Sequence, residues 1–285
     1  MRTRLAILSA SLVVVGACGS SDDDAGAATA RGGAAGSSAA GAGAGGSAPQ
    51  AGAAGTTGGT TSSGGVSGAL VTYGDPYTGG QFHLGPVDWE ESSFHNACAP
   101  GGGYAPAIRK AEGQLLAGLW GGIPNVAGYC DACIHVVTGM GKSAVLRVVT
   151  YGDTTPNSID VSPEAFQILD SGEFPRTMTW QLAKCPDTGP VVYEFQTGSS
   201  EWWTSLWVRN ARVPLKSVEV KSPNHAAFTP LARGGDGTLT DGTGFGNGAF
   251  MLKLTGVDGQ VVTDMFAWPA AGIAGATLTG NGNLP

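Results

Sequence analysis

Positive charge is scarce in this chain. Fifteen lysines and arginines face 22 acids in 285 residues, a formal net charge of −7, and the basic residues nowhere cluster. Nucleic acid is disfavoured as a partner on that ground, because phosphate binding needs a basic patch. Long apolar runs are missing as well. The run from Leu5 to Val15 is too short to span a bilayer as a helix. The four histidines, His83, His95, His135 and His225, show no metal-ligand spacing, and no glycine-flanked nucleophilic serine occurs. A hydrolytic triad therefore has no support, and neither a metal nor a cofactor is expected. DGTGFGNG, Asp241 to Gly248, is glycine-rich but lacks a phosphate-loop lysine, so it reads as a hairpin.

The N-terminus carries an export signal. Arg2 and Arg4 precede the short apolar run, and VGAC ends on Cys18, so residues 1–18 read as a lipoprotein signal peptide whose cysteine is lipidated. Removing Cys18 from the five cysteines leaves Cys98, Cys130, Cys133 and Cys185, an even set for an oxidising compartment. Three pairings are open to them, and CxxC with two further cysteines is also a zinc pattern. From Gly19 to Ser67, 42 of 49 residues are Gly, Ala, Ser or Thr and none is aromatic. Such a segment cannot bury enough apolar surface to order itself, so residues 19–67 read as a disordered linker spanning roughly 40 Å.

The remaining residues, 68–285, are rich in turn signals (TGG, TPNS, DTGP, SPNH, GGDG) with strand-like runs such as SAVLRVVTY between them. The fold class is mainly β. One helix start is clear in IDVSPEAFQIL, where Ser162 is the N-cap, Pro163 opens the helix, Glu164 suits its dipole, and Phe166 and Leu169 form the buried face. Asp160 stands between Ile159 and Val161, so on a strand its carboxylate points away from their core. Three of the seven tryptophans lie in GSSEWWTSLWVRN, Gly198 to Asn210. Read as one strand, this segment puts Trp202, Thr204, Leu206 and Val208 on a core face. Trp203, Ser205, Trp207 and Arg209 then share the other, whose Ser and Arg read as a wetted face. Flat rings on a wetted face stack on flat, polar-edged ligands such as sugars.

IDVSPEAF followed about forty residues later by SSEWWTSLWVRN, with VTYGDPYTGGQF, YCDAC and FMLKLTGVDGQVVTD, strongly resembles the bacterial expansins. The resemblance implies a six-stranded double-psi β-barrel (residues 68–186) packed against a C-terminal immunoglobulin-like β-sandwich that binds cellulose (187–285), with the boundary near Cys185 to Gly189. It implies the pairs Cys98–Cys130 and Cys133–Cys185. It also implies a monomer that loosens plant cell walls without hydrolysis, acting on cellulose and related polysaccharides. Export and Cys18 put it at the cell envelope, touching the membrane only through the lipid anchor, or free after secretion.

The family's groove acid corresponds to Asp160, its groove threonine to Thr72, with Tyr73 following. Where relatives read like VTDLYP, this chain has VTYGDTTP, so Tyr151 and Asp153 stand as substitutes in reversed order. Trp202 and Trp203 match the cellulose platform, while the third platform aromatic is replaced by RGGDG, with Asp236 at its place. Trp207 lies four positions after Trp203, roughly 13 Å along a strand, and so is expected to extend the platform. Gln196 and Glu201 stand at sites that are basic in relatives. Hydrolysis needs a second carboxylate across the scissile bond, and Asp75, Asp131 and Asp153 are the nearby acids. A second carboxylate facing Asp160 turns the reading into an endoglucanase, or into a peptidoglycan lytic transglycosylase on the same barrel. An adhesin is the third class.

Overall fold

Thirteen residues in one strand, Thr72–Leu84 (β1), run along most of one side of a closed barrel in the computed structural model, which describes residues 69–85, 97–98 and 115–285. The signal peptide, Cys18, the linker and His95 lie outside the described residues. The barrel adds Leu116–Trp120 (β2), Cys133–Thr138 (β3), Ser143–Gly152 (β4), Ile159–Val161 (β5) and Thr177–Ala183 (β6), in the order β1-β5-β2-β4-β3-β6. Two pairs, β1 with β5 and β2 with β4, are parallel; the others are antiparallel.

Alternation decides what fills the barrel. Ile134 and Val136 on β3, Leu146 and Val148 on β4, and Ile159 and Val161 on β5 meet Phe82 and Trp180 in one core. Burying each of these side chains contributes about 1.5–3 kcal/mol. β1 can lie close to the β4–β5 loop only because residue 80 is glycine, since a Cβ there would drive into the carbonyl of Asn157. That same carbonyl accepts the indole N–H of Trp180.

The helix Pro163–Leu169 (α1) begins where the sequence predicts. The Ser162 hydroxyl accepts from the Ala165 N–H, Pro163 opens the first turn, and Leu169 is fully buried. Because Ser162 also accepts from the Leu116 N–H at 3.2 Å, the cap fixes β5 against β2. Asp160, two residues upstream, is thereby held on a rigid element.

Nine further strands follow: Val192–Phe195 (β7), Thr204–Arg209 (β8), Leu215–Ser222 (β9), His225–Pro230 (β10), Ala232–Arg233 (β11), Leu239–Asp241 (β12), Phe250–Gly256 (β13), Val261–Phe266 (β14) and Thr277–Thr279 (β15). They form two sheets, β10-β9-β13-β14 and β11-β12-β8-β7-β15. Both sheets feed one core: Val218, Val220, Leu252 and Leu254 come from the first, and Tyr193, Phe195, Leu206 and Val208 from the second. Disulfides join Cys98 to Cys130 and Cys133 to Cys185, and the Cys185 N–H donates to the Arg212 carbonyl at 2.7 Å. The chain thus crosses from barrel to sheets beside a covalent staple.

Candidate functional site

The barrel and the sheets meet through buried charge. Arg209, at the end of β8, pairs with Asp131, donates to Glu194 at 2.9 Å and to the Cys98 carbonyl at 3.2 Å. Arg147 pairs with Asp187 and donates to the Asp131 carbonyl at 2.7 Å. Burial pushes the Asp131 carboxyl up from the usual range, and Arg209 and Arg147 pull it back. Asp131, one of three acids near the groove in sequence, is therefore a junction residue and not a groove acid.

This junction also overturns the reading of the strand face that follows the paired tryptophans. All six residues of β8 are buried. Trp207 is 1% exposed; its indole N–H donates to the Asp236 carbonyl at 3.1 Å and the Arg209 guanidinium lies 5.2 Å from its ring centre. It does not extend an exposed platform. Serine and arginine on that face mark a polar contact with the rest of the protein: Ser205 bonds Thr240 at 2.8 Å and Arg209 meets the barrel. Two-residue periodicity assigns a face but not what covers it.

Trp202 and Trp203 behave differently because the strand has not yet begun. They sit in a turn bridged between Ser200 and Trp203, with Trp202 72% and Trp203 37% exposed. The turn is pinned: the Ser199 hydroxyl donates to the Ser205 carbonyl at 2.8 Å and the Thr204 hydroxyl to the Ser200 carbonyl at 2.9 Å. Gly244, at φ +69, lets the β12–β13 loop press on Glu201 and Trp202, where a Cβ would collide with their backbone. Neighbouring residues on a regular strand point oppositely, whereas a turn lets both rings reach water. Large apolar side chains held rigidly in solvent mark a contact surface.

RGGDG is clamped on both sides. The Gly235 carbonyl accepts from the Tyr151 hydroxyl of β4, and Asp236 accepts from Trp207. The Asp236 carboxylate turns back to the Thr238 N–H at 3.1 Å, so it offers no substitute for an aromatic ring. Tyr151 thus links the barrel mouth to the sheet domain.

On the barrel, Asp160 is register partner to His83 on β1 and to Gly118 on β2. Its neighbours Ile159 and Val161 are fully buried, so its carboxylate faces outward, half-buried. Burial raises its pKa above the usual carboxylate value, and the nearby His83 opposes that rise. His83 Nδ1 lies 3.6 Å from Asp160 Oδ1 and 3.5 Å from the Thr154 hydroxyl. Sequence reasoning passed over His83, since it looked only for metal spacing. No local signal could have paired residues 83 and 160, because that contact is set by parallel register.

Asp153 and Asp75 are exposed, and among the described residues neither makes a bond to Asp160. Thr72 and Tyr73 lie at the other end of β1 from His83, opposite Ala183 and Leu182 of β6. Burial raises the Tyr73 phenol pKa, with Asp258 adding to the rise and Arg212 opposing it, so Tyr73 faces the sheet domain. The structure therefore gathers Asp160, His83 and Thr154 in one place and Tyr151 at the junction. It leaves Thr72 and Tyr73 apart from them.

No protein-family model matches the chain. It is 27% identical over 221 residues to Expansin-YoaJ of Bacillus subtilis (strain 168), covering 75% of this chain and 85% of that protein. It is 28% identical over 159 residues to Expansin-like protein 6 of Dictyostelium discoideum, covering 52% of this chain and 54% of that one. Among solved structures it superposes on the apo expansin of Clavibacter michiganensis with a TM-score of 0.59 at 20% identity, covering 73% of this chain and 98% of that one. A mutant of the same expansin, solved in complex with cellohexaose, gives a TM-score of 0.58 at 20% identity.

Proposed function

We propose that this chain, a relative of the bacterial expansins, is a non-hydrolytic wall-loosening protein that grips cellulose and related glucans. The observation that carries the reading is the pair of indoles, Trp202 and Trp203, fixed in solvent on a domain locked to a barrel that presents Asp160 half-buried. The rings supply stacking on pyranose faces, worth about 1 kcal/mol each. The barrel side chains compete for the hydroxyls that hold one glucan to another.

Loosening without cutting follows from the charge around Asp160. Cleavage of a glycosidic bond draws on an acid and a second carboxylate some 5–9.5 Å away. Among the described residues, the titratable side chain that acts on Asp160 is His83. A carboxyl with a raised pKa donates or accepts hydrogen bonds with sugar oxygens, and among the described residues no second carboxylate acts on it to activate water. Tyr151 and Asp153 are proposed to line the path from Asp160 towards the Trp202 turn, and Thr72 and Tyr73 to be outlying contacts on β1.

The sheet domain is read as the immunoglobulin-like module and the closed barrel as double-psi. The disulfides fit an oxidising compartment, and no helix among the described residues is long and apolar enough to cross a membrane. Anchoring is assigned to lipidated Cys18, with the glycine-rich segment as tether, and the folded body acts as a monomer.

Creep of a clamped plant wall strip under load tests the reading, together with reducing-sugar release from soluble glucan. Creep without sugar release, lost in Asp160→Asn, is the expected result. Turnover of glucan, or of peptidoglycan, that disappears in the same variant overturns it.

A further inference from the structure

Among the described residues, His83 is the titratable side chain that the fold brings against Asp160. Phe82 before it and Ile159 and Val161 on β5 are buried, so the register partners His83 and Asp160 both point out of the barrel. Their side chains are 42% and 39% exposed, side by side at the same surface. Nδ1 faces inward, 3.6 Å from Asp160 Oδ1 and 3.5 Å from the Thr154 hydroxyl. Among the described residues Nε2 has no protein partner and is open to whatever lies over the strand. The 3.6 Å gap is too long for a direct hydrogen bond. It is a spacing that a sugar hydroxyl, donor and acceptor at once, can bridge.

We propose that His83 is a second sugar-contacting residue of the groove, which with Asp160 and Thr154 reads a pair of adjacent hydroxyls on a glucan chain. A lone carboxyl holds one hydroxyl and tolerates rotation of the sugar about that bond. A carboxyl beside an imidazole holds two neighbouring hydroxyls and fixes which face of the chain meets the barrel. The pair therefore sets orientation and selects for polymers whose rings carry vicinal hydroxyls in the plane of a glucan. The imidazole also keeps the carboxyl closer to its ionised form, acting against the burial around it. Among the described residues, Asp153 is exposed on the β4–β5 loop and does not act on Asp160, and β2 contributes Gly118 opposite Asp160 and so adds no charge. The inference rests on the polysaccharide reading of the groove given above.

The test is cellohexaose titration of the wild type, His83→Ala, His83→Gln and Asp160→Asn by calorimetry, alongside retention on insoluble cellulose. His83→Ala is expected to weaken cellohexaose on the order of tenfold, the loss of one or two sugar hydrogen bonds. His83→Gln, which keeps a donor and an acceptor near the same place, should recover most of it. Retention on insoluble cellulose through Trp202 and Trp203 should not change. The acid limb of cellohexaose binding should move to higher pH in His83→Ala, because the group that lowers the Asp160 pKa is gone. Unchanged affinity in His83→Ala, in a series where Asp160→Asn is weakened, overturns the role of His83 and leaves the groove standing. Unchanged affinity in both variants overturns the groove reading and this inference together.

Discussion

The barrel and the sheet domain break the same rule in opposite directions. Carboxylates belong in water and indoles inside, yet the barrel draws Asp160 half out of water while the sheet domain holds Trp202 and Trp203 in it. Each exception needs a rigid support. On the barrel that support is β5, fixed by the Ser162 cap to β2. On the sheet domain it is a turn knotted by Ser199, Ser200 and Thr204. In the proposed reading the polar site works by being slightly desolvated, which makes its hydrogen bonds to sugar count for more. In the same reading the apolar site works by being wet, so that stacking a sugar releases water. The contrast teaches that the proposed ligand would be met by two complementary departures from ordinary burial, whose value depends on being held in one body.

The largest expected effect comes from cutting that link. Arg209→Met removes the partner of buried Asp131, and stranding such a charge costs about 3–5 kcal/mol. Roughly 10 °C of melting temperature should be lost by calorimetry. Arg209→Met/Asp131→Leu should regain much of it, because the fully buried charge is then gone and the remaining partner of Arg209, Glu194, is partly exposed to water. A single mutant as stable as wild type would mean that the two regions do not depend on this pair.

Next is the double change Trp202→Ala/Trp203→Ala, which should weaken cellulose binding by about 2 kcal/mol, roughly thirtyfold in a depletion isotherm. Melting temperature should stay within about a degree or two, since these rings are not core. Trp207→Phe sharpens the comparison from the other side: it should lose about 1 kcal/mol of stability with its bond to Asp236 and leave cellulose binding unchanged. Binding lost in Trp207→Phe with stability intact would restore it to the platform.

Much of this was legible in the chain, and the gaps have one cause. The helix at Ser162 and the outward face of Asp160 follow from local rules of capping and alternation. Exposure of Trp202 and Trp203 was also within reach, since glycine and two serines precede them and favour a turn. Trp207 was misread because alternation correctly grouped it with Arg209, but what covers them, the 233–237 loop over Trp207 and the barrel over Arg209, lies away in sequence. Asp131 was left unassigned among the nearby acids for the same reason, as its partner is 78 residues on. His83 was missed because parallel pairing joins it to a residue 77 positions away. Local order can be read from a sequence; what closes over a surface cannot.

The smallest effect concerns Asp160 itself and needs its sign worked out. Its folded-state pKa is raised by burial against the opposing pull of His83. The folded protein therefore holds that proton more tightly than the unfolded chain does. The stabilising contribution of the protonated carboxyl is complete below the unfolded value, about 3.9, and is lost as pH rises through the folded value. Once ionised, the half-buried group is a slight burden on the fold. Asp160→Asn should therefore melt slightly higher than wild type at neutral pH, with the gap closing as the pH falls towards the unfolded value, while cellohexaose binding drops. A variant that melts lower at neutral pH would show that the carboxylate stabilises the barrel through His83, and the opposition between a strained polar groove and a wet apolar turn would lose its first half.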